Sequence, residues 1–538
     1  MLWWRNAAVY QVYPRSFFDG NGDSLGDLSG VREKLPYLSS LGVDALWLSP
    51  FYLSPQHDSG YDVANPRDVD PMYGSLADIR ELVEQAHNHG LRIMVDIVPN
   101  HFSEEHPWFQ QALNSPPGSR ERARFHFLDS EGDEPPNNWV SMFGGPAWTQ
   151  TTNPDGSPGQ WYLHVFDSSQ PDLNWTHPDV ASDWITTLKF WLDMGVDGFR
   201  VDVAHGLAKD MTYADLPDPV GLTEALRFDL DDGSPEAAQR RELIANSGFF
   251  DRDELQEIYA TWRSILDSYP GDRMTVAEAW VPPHRIGRYV SPTSLHQIFG
   301  FDFLVVAWNA VVMQRTITQG INAVAQVGAP PTWALSNHDS PRVASRLGGG
   351  ALGLNRARAL AMVAHALPGG IYIYQGEELG LPDAELPDSA RQDPVFFRTQ
   401  GKQKGRDAAR VPLPWSGNTP PYAFTESEKP TWLPQPIGWG SVTVEAEDAD
   451  PTSTLNLYRT LVRDRKKLSG AVTFIDSGDS NVMIFARNEG FHCIINTGMN
   501  PYQLSNRFPR CEVMVSSDMQ LGDKNKVLPP NCAVWFIA

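Results

Sequence analysis

Short apolar runs alternate with amphipathic stretches along most of this chain, and that alternation constrains the fold more than any other feature. The runs are AAVYQVYP (7–14), ALWLSP (45–50), RIMVDIVPNH (92–101), DGFRVDV (197–203), MTVAEAW (274–280), FDFLVV (301–306), TWALSNHD (332–339) and GIYIYQGEE (370–378). Apolar residues at helical spacing fall between them near 29–41, 76–89, 178–194, 252–267, 309–326 and 354–366, with one more such stretch near 453–467. Strands alternating with helices imply parallel strands joined by crossover helices. Eight such runs imply an α/β fold, a (β/α)₈ barrel.

Two segments interrupt the rhythm. Residues 102–175 are rich in Pro, Gly, Asn, Asp and Trp and read as a small domain inserted after the third strand. Residues 379–450 read as a long irregular excursion after the eighth. Beyond about 470 come short alternating runs (AVTFI, VMIFARN, FHCIINT, CEVMV, CAVWFIA) that specify an all-β C-terminal unit. The expected domains are therefore a barrel over 1–101 and 176–469, an insert over 102–175 and a β-sandwich-like domain over 470–538.

A net charge of −23 disfavours nucleic acid and anionic membranes as partners and suits a neutral substrate. No apolar run reaches the roughly 20 residues of a membrane span. The N-terminus lacks the basic-then-apolar pattern of a signal peptide. Three cysteines, Cys493, Cys511 and Cys532, argue against a disulfide framework. Together these lead us to expect a cytoplasmic protein with buried thiols.

A barrel places its reactive groups at the C-terminal ends of its strands. Those ends carry Asp96 and His101, Arg200 and Asp202, Glu278, and His338 and Asp339. Each alone reads as a cap, a turn residue or a structural histidine; together on one rim they read as a catalytic site. Alternation puts Arg200 and Asp202 on one face, where the guanidinium can keep the carboxylate ionised. Glu278 sits among apolar neighbours that would raise its pKa. An ionised and a protonated carboxyl are the pair that glycoside hydrolysis requires. Asp202 would attack the anomeric carbon, Glu278 would protonate the leaving oxygen, and Asp339 would hold the sugar hydroxyls. His101 and His338 would strengthen hydrogen bonds as charge builds on the ring. A zinc hydrolase built from Asp96, His101, Asp202 and His338 is the rival reading; it leaves Glu278 and Arg200 without a role.

The motifs DIVPNH (96–101), GFRVDV (198–203), AEAW (277–280) and SNHD (336–339) resemble, in order and spacing, the four central motifs of glycoside hydrolase family 13, the α-amylase family. That resemblance implies Asp202 as nucleophile, Glu278 as acid/base and Asp339 as transition-state stabiliser. QPDLN (170–174), GYD (60–62) and GRDAARVPLPW (405–415) resemble the α-glucosidase and oligo-1,6-glucosidase branch. There Asp62 would hold the terminal glucose and Arg410 would pair with it, closing the pocket to one sugar. Tyr61, Phe166, Trp47 and Trp280 are candidates to cover sugar faces, with core packing the expectation for Trp47. Val203, after the nucleophile, is a residue that accompanies α-1,6 activity in that branch, but linkage stays open. The resemblance implies a retaining exo-acting α-glucosidase for short α-glucosides, with transglucosylation open. A trehalose synthase-like isomerase or a non-catalytic relative are the alternatives. Oligomeric state is not legible.

DGNGDSLGD (19–27) spaces Asp19, Asn21, Asp23 and Asp27 as oxygen ligands, with the Leu25 carbonyl as a fifth. An EF-hand needs Gly at its sixth position and Glu at its twelfth, where this loop has Ser24 and Gly30. The resemblance implies a structural divalent site, with Ca2+ rather than Mg2+ the expected occupant.

Overall fold

The computed structural model describes residues 2–130, 132–153, 155–219, 222, 239, 242–504, 508–518 and 527–538. Eight parallel strands form a nearly closed barrel: β1 (Ala8–Val12), β2 (Ala45–Leu48), β3 (Arg92–Ile97), β7 (Gly198–Val201), β8 (Met274–Ala277), β9 (Gln297–Ile298), β10 (Thr332–Ala334) and β11 (Gly370–Tyr374). The sheet runs β10-β11-β1-β2-β3-β7-β8-β9, so the seam lies between β9 and β10. There the Thr332 hydroxyl does the work of a ladder, donating to the Ile298 carbonyl and accepting from the Gly300 amide.

One sequence expectation is corrected here. FDFLVV is not the sixth strand; Phe301–Leu304 is a helical turn, and the strand is the two-residue β9 before it. A short apolar run satisfies a buried helix turn as well as a strand, and periodicity cannot separate the two.

Period-two alternation sorts the strand residues. Ala8, Tyr10 and Val12, or Ile93, Val95 and Ile97, join the apolar layer under the helices. Val9, Met94, Val276 and Tyr372 fill the barrel interior with Trp47 and Phe299. Continued upward, the interior register carries Asp96, Arg200, Asp202 and Glu278. The outer helices are specified as expected. Leu255–Asp267 buries Leu255, Tyr259, Trp262 and Leu266 at spacings of four, three and four. Leu76–Asn88 starts in a capping box between Ser75 and Asp78, each satisfying the other's amide.

Between β3 and β7 lies a three-stranded antiparallel sheet of β4 (Phe127–Leu128), β5 (Trp148–Thr152) and β6 (Pro158–Leu163), in the order β4-β6-β5. At the C-terminus β12 (Thr473–Ile475), β13 (Val482–Ala486), β14 (Phe491–Asn496), β16 (Glu512–Ser516) and β18 (Cys532–Ile537) form an antiparallel sheet, with β15 (Tyr502–Gln503) and β17 (Val527–Leu528) as a separate ribbon. One face of that sheet packs on helix Gly350–Ala366, where the Trp535 indole donates to the Met362 carbonyl. The three cysteines are free and buried.

Candidate active site

The interior register gathers one guanidinium and three carboxyls at the top of the barrel. Arg200 Nη1 lies 2.9 Å from Asp96 Oδ1 and 2.6 Å from Asp202 Oδ1, and its Nη2 lies 2.8 Å from Glu278 Oε2. One positive charge cannot offset three negative ones. Burial, then the charges of Glu278 and Asp96, push the Asp202 carboxyl up, and Arg200 only partly opposes them. Asp202 and Glu278 converge on the two terminal nitrogens of the one guanidinium. Burial likewise raises Asp96, to about 7. Asp96 and Asp202 sit on the same guanidinium, so their titration belongs to the pair and not to one residue.

The residue after Asp202 is strained. Val203 has φ 45°, a left-handed conformation that a β-branched side chain rarely adopts. The turn aims the Val203 amide at Glu278 Oε2, 3.1 Å away. Strain of about 1–3 kcal/mol is typical of such positions; here it gives Glu278 Oε2 a second donor beside Arg200.

Asp339 is ionised. Burial works against it, but Arg406 and Arg410, with His338 Nε2 3.1 Å from its Oδ2, hold its carboxyl well below the usual range. Arg410 Nη2 is 2.7 Å and Arg406 Nη1 3.0 Å from its Oδ1. Burial lowers the pKa of His338, which is neutral at physiological pH. Its Nδ1 is 2.7 Å from the Gln11 amide and its Nε2 2.6 Å from the Tyr61 hydroxyl. With the amide as donor, the network assigns the proton to Nε2, from which Tyr61 accepts and then donates to Asp96. His101 is also neutral, lowered to about 4 by burial, with its ring nitrogens against Asn100, Gln170 and the Tyr61 carbonyl.

The pairing expected between Asp62 and Arg410 does not exist. Asp62 is fully buried and serves its own loop, accepting from His57 N (2.7 Å), Asp58 N (3.0 Å) and the Ser54 hydroxyl (2.9 Å). Arg410 holds Asp339 and the His338 carbonyl. The carboxylate–guanidinium pair on the cavity wall is Asp58 with Arg406, Oδ1 to Nη2 at 2.7 Å. Gln170, from QPDLN, donates to the other Asp58 oxygen. The sequence signal for both was present, in HDSGYD four residues before Asp62 and in R-D-x-x-R four residues before Arg410.

These groups face a cavity of about 570 Å³ that includes Asp58, Tyr61, Asp202, Glu278, Asp339 and Arg406. Phe143 and Phe166 close it from the inserted segment, and Trp280, stacked on Phe301 at 4.0 Å, from the barrel. Trp47 packs in the barrel interior, as expected. Arg200, His338, Asp62 and Arg410 lie behind the wall and act on the groups that form it. Below the insert, Lys209 Nζ is buried 2.8 Å from Asp172 Oδ2 and 2.8 Å from Asn100 Oδ1. This fastens the insert to the end of β3.

Among the described residues, no three His, Cys, Asp or Glu side chains gather as a metal cage. The four candidates for zinc are spent on Arg200, Tyr61, Gln11, Asn100 and Gln170 instead. In the loop 19–27, Asp19 Oδ1 accepts from the amides of Asn21, Gly22 and Asp23, and Asp27 Oδ1 caps the next helix at Gly30 N. Asp27 Oδ2 is buried with no hydrogen-bond partner, and burial with the charges of Asp19 and Asp23 raises that carboxyl to about 6. An unpartnered buried carboxylate oxygen among hard oxygen donors fits a divalent cation.

Residues 11–473 match the family model described as "Alpha amylase, catalytic domain". The chain is 36% identical over 509 residues to a probable alpha-glucosidase of Rhizobium meliloti (92% of this chain, 89% of that one). It is 34% identical to an oligo-1,6-glucosidase of Parageobacillus thermoglucosidasius (87% and 84% covered). Trehalose-6-phosphate hydrolase of Escherichia coli is 35% identical (86% and 84% covered). A crystal structure of an alpha-glucosyl transfer enzyme superposes with a TM-score of 0.83 at 32% identity, covering 100% of both chains. The barrel, its carboxyl cluster and these matches place the chain in the α-amylase family, glycoside hydrolase family 13.

Proposed function

We infer that this protein is a retaining, exo-acting α-glucosidase that removes the non-reducing terminal glucose of short α-glucosides. One observation carries the reading. Asp202 and Glu278 converge on Arg200, in a cavity one wall of which is the Asp58–Arg406 pair. Glu278 delivers a proton to the leaving oxygen, and Asp202, ionised on Arg200, attacks the anomeric carbon. Glu278 then takes a proton from the water that hydrolyses the glucosyl ester. Asp339, kept ionised, binds the hydroxyls of the reacting ring. Asp58 and Arg406 clamp the hydroxyls of its non-reducing end, so a longer chain cannot pass. A cavity of this size suits a small ligand.

Transfer to a sugar hydroxyl in place of water uses the same glucosyl ester, and partial transglucosylation belongs to this reading. We also propose that Asp19, Asn21, Asp23, Asp27 and the Leu25 carbonyl hold Ca2+ as a structural clip, supported by the unpartnered Asp27 oxygen. Among the described residues no helix is long and apolar enough to cross a membrane. We assign the enzyme to the cytoplasm, a reading that its free thiols support.

The test is incubation with maltose, isomaltose, sucrose and trehalose, following products and anomeric form by NMR. Release of α-glucose from at least one is expected. No turnover, or release of β-glucose, would overturn the reading.

A further inference from the structure

Arg406 is gripped from behind. Asp393 is fully buried at the start of the short helix Pro394–Arg398, where its Oδ1 accepts from Val395 N at 2.9 Å. Its Oδ2 accepts twice from Arg406, from Nε at 2.7 Å and from the backbone amide at 2.7 Å. Asp393 is itself fixed. Asp407 Oδ2 accepts from the amides of Gln392 (2.7 Å) and Asp393 (3.0 Å). The two segments touch because residue 405 is glycine: at φ +69° a Cβ there would sit 2.6 Å from the Asp393 Cβ. Burial works against the Asp393 carboxyl, but Arg406 and Arg410 outweigh it and hold it down at about 2, so the grip is ionic.

With Nε and the amide engaged, Arg406 offers its two terminal nitrogens to the cavity, Nη1 on Asp339 and Nη2 on Asp58, the latter with a longer 3.4 Å contact back to Asp393 Oδ1. We propose that Asp393 is a positioning residue that sets the orientation of Arg406 and, through it, the enzyme's discrimination at the 4-hydroxyl of the terminal sugar. The inference rests on the clamp reading above. A guanidinium without this rear anchor would still be attracted to Asp58 and Asp339. It would swing freely between them, and the terminal hydroxyls would meet a donor with no fixed direction. Asp393 touches no substrate, so its effect passes entirely through Arg406.

Asp393→Asn isolates that effect. The amide oxygen can still cap Val395, since Asn and Asp are equal at helix N-termini, but the Nδ2 that replaces Oδ2 carries no charge and cannot accept from Arg406. The experiment compares kcat/KM for p-nitrophenyl α-glucoside and for its 4-epimer, p-nitrophenyl α-galactoside, in the wild type, Arg406→Ala and Asp393→Asn. In Asp393→Asn we expect KM for the glucoside to rise tenfold or more, kcat to change less than threefold, and the gluco/galacto ratio to fall at least tenfold. Asp393→Glu, which keeps the charge but displaces it, should fall between the two. A folded Asp393→Asn with wild-type KM and ratio would overturn the inference. Should that variant not fold, an unchanged ratio in Asp393→Glu overturns it equally. Failure of Arg406→Ala to alter the ratio would instead remove the clamp reading on which the inference stands.

Discussion

Lys209→Met should be among the most damaging single changes outside the carboxyl cluster on Arg200. Both Lys209 and Asp172 have fully buried side chains, at 0% exposure each, with 2.8 Å between charges. Lys209 also donates to Asn100, beside His101, and to the Gly206 carbonyl. The substitution leaves the Asp172 carboxylate in the interior with one remaining donor, the Val165 amide at 3.1 Å. Removing one member of a buried pair costs about 3–5 kcal/mol, most of it the isolated charge left behind. One kcal/mol moves Tm by about 2–4 °C in domains of 150–250 residues and by less in a larger unit, so we expect a drop of about 5–10 °C. Calorimetry at pH 7 measures it directly. The double variant Lys209→Met/Asp172→Leu removes the stranded charge and should recover part of the loss, leaving mainly the unpaired Val165 amide. A single variant within about 1 °C of wild type, or a double variant worse than the single, would refute the reasoning.

The other expectations are briefer. Asp58→Asn should lower kcat/KM about 100-fold with little change in Tm, whereas Asp62→Asn should mainly lower Tm, because Asp62 serves backbone amides; the reverse pattern would return the clamp to Asp62. Burial raises Glu377 to about 7, partly countered by the Ser336 and Tyr458 hydroxyls. Its stabilising contribution is thus complete below the unfolded value of about 4.3 and is lost as pH rises through about 7. Tm should therefore fall between pH 5 and pH 8 more steeply in the wild type than in Glu377→Gln; equal slopes would contradict this. Chelation should lower Tm in the wild type and have little effect on Asp27→Asn; a chelator without effect on either makes the 19–27 loop a polar turn.

Much of this molecule is legible in its sequence, and the failures have identifiable causes. Strands show wherever both faces are buried, as in ALWL or RIMV, because a parallel strand under helices must be apolar throughout. β9 fails that test: only two residues long, Gln297–Ile298, it follows His296 and leads into FDFL, a more apolar run that is a helical turn. Asp202 and Glu278 are legible because strand alternation aims them, with Arg200, into the barrel. The clamp is not. Asp58 and Asp62, and Arg406 and Arg410, are each four residues apart in loops without a period. What selects Asp58 and Arg406 is tertiary: the amides of residues 57 and 58 capture Asp62, and Asp393 turns Arg406 toward the cavity.

The central claim is that Asp202 is the nucleophile of a retaining reaction. It is tested most directly by trapping the glucosyl ester with 5-fluoro-α-D-glucosyl fluoride and mapping the adduct by peptide mass spectrometry. We expect one equivalent of fluoroglucose on the peptide containing Asp202, released with recovery of activity. A label on another residue, or no label on enzyme that turns over the reagent, would contradict the account.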